Sequence, residues 1–63
     1  MTIRELRDLV DADTILWIET AEEKYLEFGE AGRLSYKFDS YDIRRMLVQY
    51  YPSLHAHGIT VQV

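Results

Sequence analysis

A chain of 63 residues without a single cysteine must fold on apolar packing alone, because neither a disulfide nor a thiolate metal site can staple it. At this length folding buries only about 60 % of the surface that the unfolded chain exposes, so nearly every apolar side chain is committed to one core. A single domain over residues 1–63 is expected, with little left over for an enclosed active site. A composition that is 48 % hydrophobic and 29 % charged belongs to a chain that folds rather than one that stays disordered. The lack of cysteine favours a reducing compartment. The longest apolar run, Ile15-Leu16-Trp17-Ile18, is far below the roughly 20 residues of a membrane span, and no basic stretch leading into a hydrophobic one opens the chain. The expected location is therefore the cytoplasm, away from membranes.

Charge is unevenly spread. Residues 1–30 hold nine acids (Glu5, Asp8, Asp11, Asp13, Glu19, Glu22, Glu23, Glu27 and Glu30) against Arg4, Arg7 and Lys24, a net of −6. Residues 31–63 hold Arg33, Lys37, Arg44 and Arg45 against Asp39 and Asp42, a net of +2, which brings the chain to −4. An acidic surface repels phosphate, so direct nucleic-acid binding by the first half is disfavoured and a basic protein surface is the favoured partner. Net charge of this size also serves solubility alone.

Thr2-Ile3-Arg4-Glu5 fits a capping box, and Ile3, Leu6, Leu9 and Val10 follow at helical spacing, which predicts a helix over 3–10 that ends at Asp11-Ala12-Asp13. Residues 14–20 and 24–29 are rich in β-branched and aromatic side chains, and 33–38 alternates with Leu34, Tyr36 and Phe38 on one face, which predicts three consecutive strands. Asp39-Ser40 supplies a cap for a second helix over 41–51, with Ile43, Met46, Leu47 and Tyr50 at i, i+3, i+4 and i+7, and Pro52 stops it. Ile59, Val61 and Val63 alternate in a last strand, placed parallel to the first and beside it by a right-handed crossover through the second helix. The expected fold is α+β, in the order α-β-β-β-α-β, with a small, mainly antiparallel sheet of strand order 3-2-1-4 and the helices packed on one face.

Three-residue loops fix a register. Glu30-Ala31-Gly32, with glycine left-handed at its end, pairs Phe28 with Leu34, and Ala21-Glu22-Glu23 pairs Ile18 with Leu26 and Leu16 with Phe28. The core face then holds Leu16, Ile18, Leu26, Phe28, Leu34, Tyr36 and Phe38. The opposite face holds Ile15, Trp17, Glu19, Tyr25, Glu27, Arg33, Ser35 and Lys37, with Trp17 opposite Glu27. Two readings of Trp17 and Tyr25 stand side by side. They form an aromatic hot spot rimmed by carboxylates, or the first helix or a terminus folds over them as core.

Motifs for chemistry are sparse. Gly29-Glu30-Ala31-Gly32 lacks the lysine and following helix of a phosphate loop and reads as a hairpin turn. His55-Ala56-His57 supplies at most two zinc ligands with no third nearby, so the two side chains read as exposed loop residues and no metal site is assigned. Ser35, Ser40 and Ser53 have no histidine–carboxylate pair beside them, and the paired acids Glu22-Glu23 and Asp11-x-Asp13 sit in polar turns that do not raise a pKa. No catalytic residue and no cofactor is expected. Arg44-Arg45, with Arg33 and Lys37, is the sole basic cluster and is diluted by Asp39 and Asp42. Tyr41, Tyr50 and Tyr51 flank the second predicted helix, with Tyr50 in its core stripe and one of the others a contact residue.

The opening residues 2–14, from Thr2-Ile3-Arg4-Glu5 to Asp13-Thr14, followed at once by a hydrophobic strand, resemble the start of many short phage and prophage proteins. Short length, an acidic first half, no cysteine and no catalytic motif are together similar to anti-CRISPR proteins, many of which occupy the basic DNA-binding surface of a Cas complex. The resemblance implies a non-enzymatic inhibitor of a host nucleoprotein, though it carries no residue of its own. From the charge and the exposed aromatics, Asp11, Asp13, Trp17, Glu19, Glu22, Glu23, Tyr25, Glu27 and Glu30 are the candidate partner-binding residues. Two alternatives accompany this reading. One is a homodimerising module that pairs through the Ile15/Trp17/Tyr25 face or the last strand. The other is a nucleic-acid binder using Arg33, Lys37, Arg44 and Arg45, whose α-β-β-β-α portion resembles the double-stranded-RNA-binding outline.

Overall fold

The computed structural model describes residues 1–63 as one helix over a four-stranded mixed sheet, a small α+β arrangement. Helix α1 spans Ile3–Leu9, and the strands are β1 (Ile15–Glu19), β2 (Tyr25–Glu30), β3 (Arg45–Tyr51) and β4 (Ala56–Gln62). Their order is β2-β1-β4-β3, with β1–β2 and β3–β4 antiparallel and β1–β4 parallel. No helix is long and apolar enough to cross a membrane.

The first helix forms as its capping box dictates: Glu5 N–H donates to Thr2 Oγ1 at 3.3 Å and Thr2 N–H to Glu5 Oε1 at 2.9 Å. At seven residues it is too short to stand alone, and tertiary contacts complete it. Its next free donors, Ile3 N–H and Arg4 N–H, bond the carbonyls of Tyr41 and Asp39, each at 3.0 Å. Ile3 and Leu6 bury against Leu16, Ile18 and Val61 of the sheet, with Ala31 and Leu34 closing the core.

The strand predicted over 33–38 does not form. Arg33 and Leu34 N–H turn back to the Glu30 carbonyl, and Tyr36–Phe38 is a 3-10 turn capped by the Ser35 hydroxyl. The cause lies far away in sequence. Arg7, its side chain only 7 % exposed, bonds the Leu34 and Ser35 carbonyls and forms a 2.8 Å ion pair with Asp39. A strand here would need those carbonyls for a ladder. Gly32 is not left-handed as the hairpin required; a Cβ there would lie 2.9 Å from Ala12 Cβ, so close packing selects the glycine.

The second predicted helix, over 41–51, is also absent, and with it the α-β-β-β-α-β order. Thr2 pairs with Asp42, Ile43 N–H bonds the Met1 carbonyl, and Arg45–Tyr51 pairs along β4. Ile43, Met46, Leu47 and Tyr50 satisfy a helical spacing, but Met46, Val48 and Tyr50 satisfy alternation equally well, and the free side of β4 decides for the strand. Pro52 opens the 3-10 turn Pro52–Leu54 of the β3–β4 hairpin rather than ending a helix, and His55 closes that turn in left-handed backbone at φ 51°. The last strand does lie parallel to β1 and beside it, as expected, but it starts at Ala56 and is central.

Candidate functional site

Trp17 sits between Leu16 and Ile18, which are 0 % and 1 % exposed on the α1 side, so alternation sends the indole to the other face of the sheet. The three-residue loop between β1 and β2 forms as expected: Thr20 N–H bonds the Lys24 carbonyl at 2.9 Å, with Glu23 left-handed at φ 65°. Glu19 then faces Tyr25 in the expected register. Past that pair the register slips, with Ile18 opposite Glu27 and Trp17 opposite Phe28, because Leu26 is an extra residue in a β-bulge. The predicted pairs Ile18–Leu26 and Leu16–Phe28 are therefore not made. Leu26 stays against the core, while Phe28 moves from the predicted core face to the face of Trp17. Tyr36, also expected in the core, is 73 % exposed, with its ring under the Arg7 guanidinium at 4.6 Å.

The result is an aromatic platform centred on Trp17. Its ring packs edge-on to Tyr25 at 5.0 Å and to Phe28 at 5.4 Å, and stacks on Tyr51 at 6.3 Å with only 15° between planes. Phe28 and Tyr51 close the group at 5.9 Å. The indole is half-buried by these neighbours, not by α1, whose apolar side chains pack on the other face. Tyr51 is held from below. Thr60, 4 % exposed, gives its hydroxyl proton to Gln49 Oε1, so the Tyr51 hydroxyl donates to Thr60 Oγ1, at 2.7 Å. Gly58, two residues before Thr60 in β4, leaves the space that the Tyr51 ring fills.

The candidate carboxylates divide into three sets. Glu19 and Glu30 share the platform face at the two ends of β1, Glu30 through its pairing with Ile15, about 14 Å apart by strand rise. Glu19 accepts from Gln62 Nε2 at 2.7 Å and Glu30 pairs with Arg33 at 3.2 Å. Glu27, placed opposite Trp17 by the sequence, instead faces Ile18 and accepts from Ser35 N–H at 3.1 Å. Asp11 and Asp13 lie before β1, and Glu22 and Glu23 in the exposed turn beyond it, so the two pairs are separated by the strand's length of about 17 Å. The structure thus brings together Trp17, Tyr25, Glu19 and Glu30, and sets the turn acids apart from them.

Phe28 and Tyr51 are the platform residues that the sequence did not place there. The bulge hid the first. A helical reading of 41–51 obscured the second, although Tyr51 stands in a run whose alternation was visible. The basic residues form no helix face: Arg33 is paired with Glu30, Lys37 lies over Phe38 at 5.5 Å, and Arg44 and Arg45 stand at the start of β3. His57 packs its ring against Tyr50 at 5.0 Å, and His55 has left-handed backbone, so the two residues are not in the extended chain that would put positions i and i+2 on one side. No three potential metal ligands come together. Compared with known protein families, curated proteins and solved structures, the chain shows no significant match to any of them.

Proposed function

We propose that this chain is a non-enzymatic interaction protein of the phage or mobile-element type, which docks on a basic surface of a host nucleic-acid-handling complex and competes there with nucleic acid. One observation carries the reading: four aromatic rings gathered on the sheet face opposite α1, with a carboxylate at each end. Tryptophan and tyrosine dominate binding hot spots because they bury large area at little entropic cost, and acids at the rim steer a basic partner and reject phosphate. The net charge of −4 acts in the same direction at longer range. The place of action in this reading is the host cytoplasm, and the family in mind is the anti-CRISPR inhibitors that the composition resembles.

The test is capture from host lysate, compared between the wild type, Tyr25→Ala and the pair Glu22→Lys/Glu23→Lys. Tyr25 is 53 % exposed and the two glutamates occupy an exposed turn, so these changes alter the surface and spare the core. The expected result is a nucleic-acid-binding protein that is displaced by added double-stranded DNA, elutes with rising salt, elutes at lower salt from the Glu22→Lys/Glu23→Lys pair, whose charges act at a distance from the platform, and is lost with Tyr25→Ala. Retention indifferent to DNA and to both sets of changes, or no retention, overturns the proposal.

A further inference from the structure

Strand β3 has a neighbour on one side only, and beyond its first residue it has none of the devices that usually blunt a sheet edge. The opposite edge, β2, is bulged at Leu26 and carries Glu27 and Glu30. Within β3, by contrast, Arg45 at its first position is the lone charge, and the six residues that follow, Met46 to Tyr51, include neither proline nor bulge. Alternate backbone N–H and C=O groups along seven residues therefore point away from β4 with no strand to receive them. The side chains are also uncovered: Val48 is 76 % exposed, Tyr50 50 % and Met46 44 %, all on the α1 side of the sheet, where the seven-residue helix reaches across β1 and β4 but not β3.

We infer that β3 is the pairing edge for a second copy of this chain, which adds antiparallel to it across a two-fold axis and joins the two sheets into one of eight strands. The sequence of the strand supports self-pairing. In an antiparallel ladder directly opposed residues share a face, so a two-fold axis perpendicular to the sheet must lie midway between the two copies of one residue, and Val48 is the middle of the seven. Centred there, Val48 meets Val48, Met46 meets Tyr50, Leu47 meets Gln49, and Arg45 stands opposite Tyr51. No like charges meet, and the two Arg45 side chains stand about 20 Å apart at opposite ends. Charge permits the approach as well. Although each chain is −4 overall, residues 43–63 contain no acid, so the copies meet along their acid-free edges. A perpendicular axis leaves both Trp17 platforms on the same side of the joined sheet. The inference does not rest on the proposed partner, because it uses a different edge and different residues.

Sedimentation equilibrium across a concentration series tests it, on the wild type, Val48→Lys and Tyr25→Ala. The wild type and Tyr25→Ala are expected to approach twice the 7.5 kDa chain mass as concentration rises. Val48→Lys, which sets two ammonium groups against each other at the axis, is expected to weaken association by at least about tenfold. Since Val48 is exposed in the single chain, its variant keeps the wild-type circular dichroism, and loss of association then reports the interface rather than unfolding. Slow amide exchange along β3 in the wild type and fast exchange in Val48→Lys would place the contact on this strand. A wild type that stays at the mass of one chain up to its highest usable concentration overturns the inference. So does a dimer that survives Val48→Lys or is lost with Tyr25→Ala.

Discussion

A methyl group on residue 58 would sit 2.7 Å from the Ile15 carbonyl oxygen and 2.7 Å from Tyr51 Cε2, closer than real Cβ contacts allow. The ring can move but the backbone of β1 cannot, so Gly58→Ala pushes apart the parallel β1–β4 pair and tilts Tyr51 off Trp17. The expected cost is about 2 kcal/mol, in the range of overpacked sites, read as a lower denaturant midpoint. A shift in Trp17 fluorescence should accompany it, because the indole loses its stacked neighbour; unchanged stability and emission would refute the packing role of this glycine. In the sequence Gly58 stands just before the predicted last strand, with no sign of any constraint on it. Its real constraint is a tyrosine seven positions earlier and a strand more than forty positions away, neither of which local pattern connects to it. The capping box is the opposite case, since Thr2 and Glu5 meet within one turn and their roles follow from spacing alone.

Within α1, hydrogen bonds from Thr2, first its backbone N–H and then its hydroxyl, hold the Glu5 carboxyl below its ordinary value of 4.5. A carboxylate with a lowered folded pKa contributes stability above its unfolded pKa and loses that contribution as pH falls through the folded value. Glu5→Ala is therefore expected to be less stable than the wild type at neutral pH, and the gap should close as pH drops below 4.5. Denaturant unfolding at a series of pH values checks it, and a gap that does not depend on pH would place the effect elsewhere. Among the strands, the β1–β2 turn was legible from Thr20 to Lys24, yet one bulged residue at Leu26 was enough to move Phe28 to the other face. A period of two makes sheets sensitive in this way: a slip of one residue exchanges the faces. For 41–51 the ambiguity was of another kind, as overlapping sets of apolar residues satisfied the helical and the alternating templates, and pairing with β4 chose between them.

Across the whole molecule, the segment between β2 and β3 is held by Arg7 more than by its own sequence. The guanidinium ties two carbonyls and Asp39 to α1 from a site 7 % exposed, while Asp39 Oδ2 is buried without a partner. Removing one member of a buried pair leaves the other's charge uncompensated, so Arg7→Ala is expected to cost about 3 kcal/mol, a large part of the stability of so small a chain. The double change Arg7→Met/Asp39→Leu should recover some of that loss, and equal instability of the single and double variants would count against a charge-driven effect. The sequence by itself determined what depends on neighbours in the chain: α1 and its cap, the existence of β1 and β2, the turn that joins them, and the emergence of Trp17 on the face opposite Leu16 and Ile18. The parallel pairing of the last strand with β1 was expected as well, but through a helical crossover over 41–51 that does not form, so the pairing holds without the reason given for it. Only the tertiary structure decided that 33–38 coils around Arg7, that 45–51 is a strand, and that Phe28 and Tyr51 join Trp17. Those outcomes turn on which backbone and charged groups find partners at long range, and local periodicity does not encode such partners.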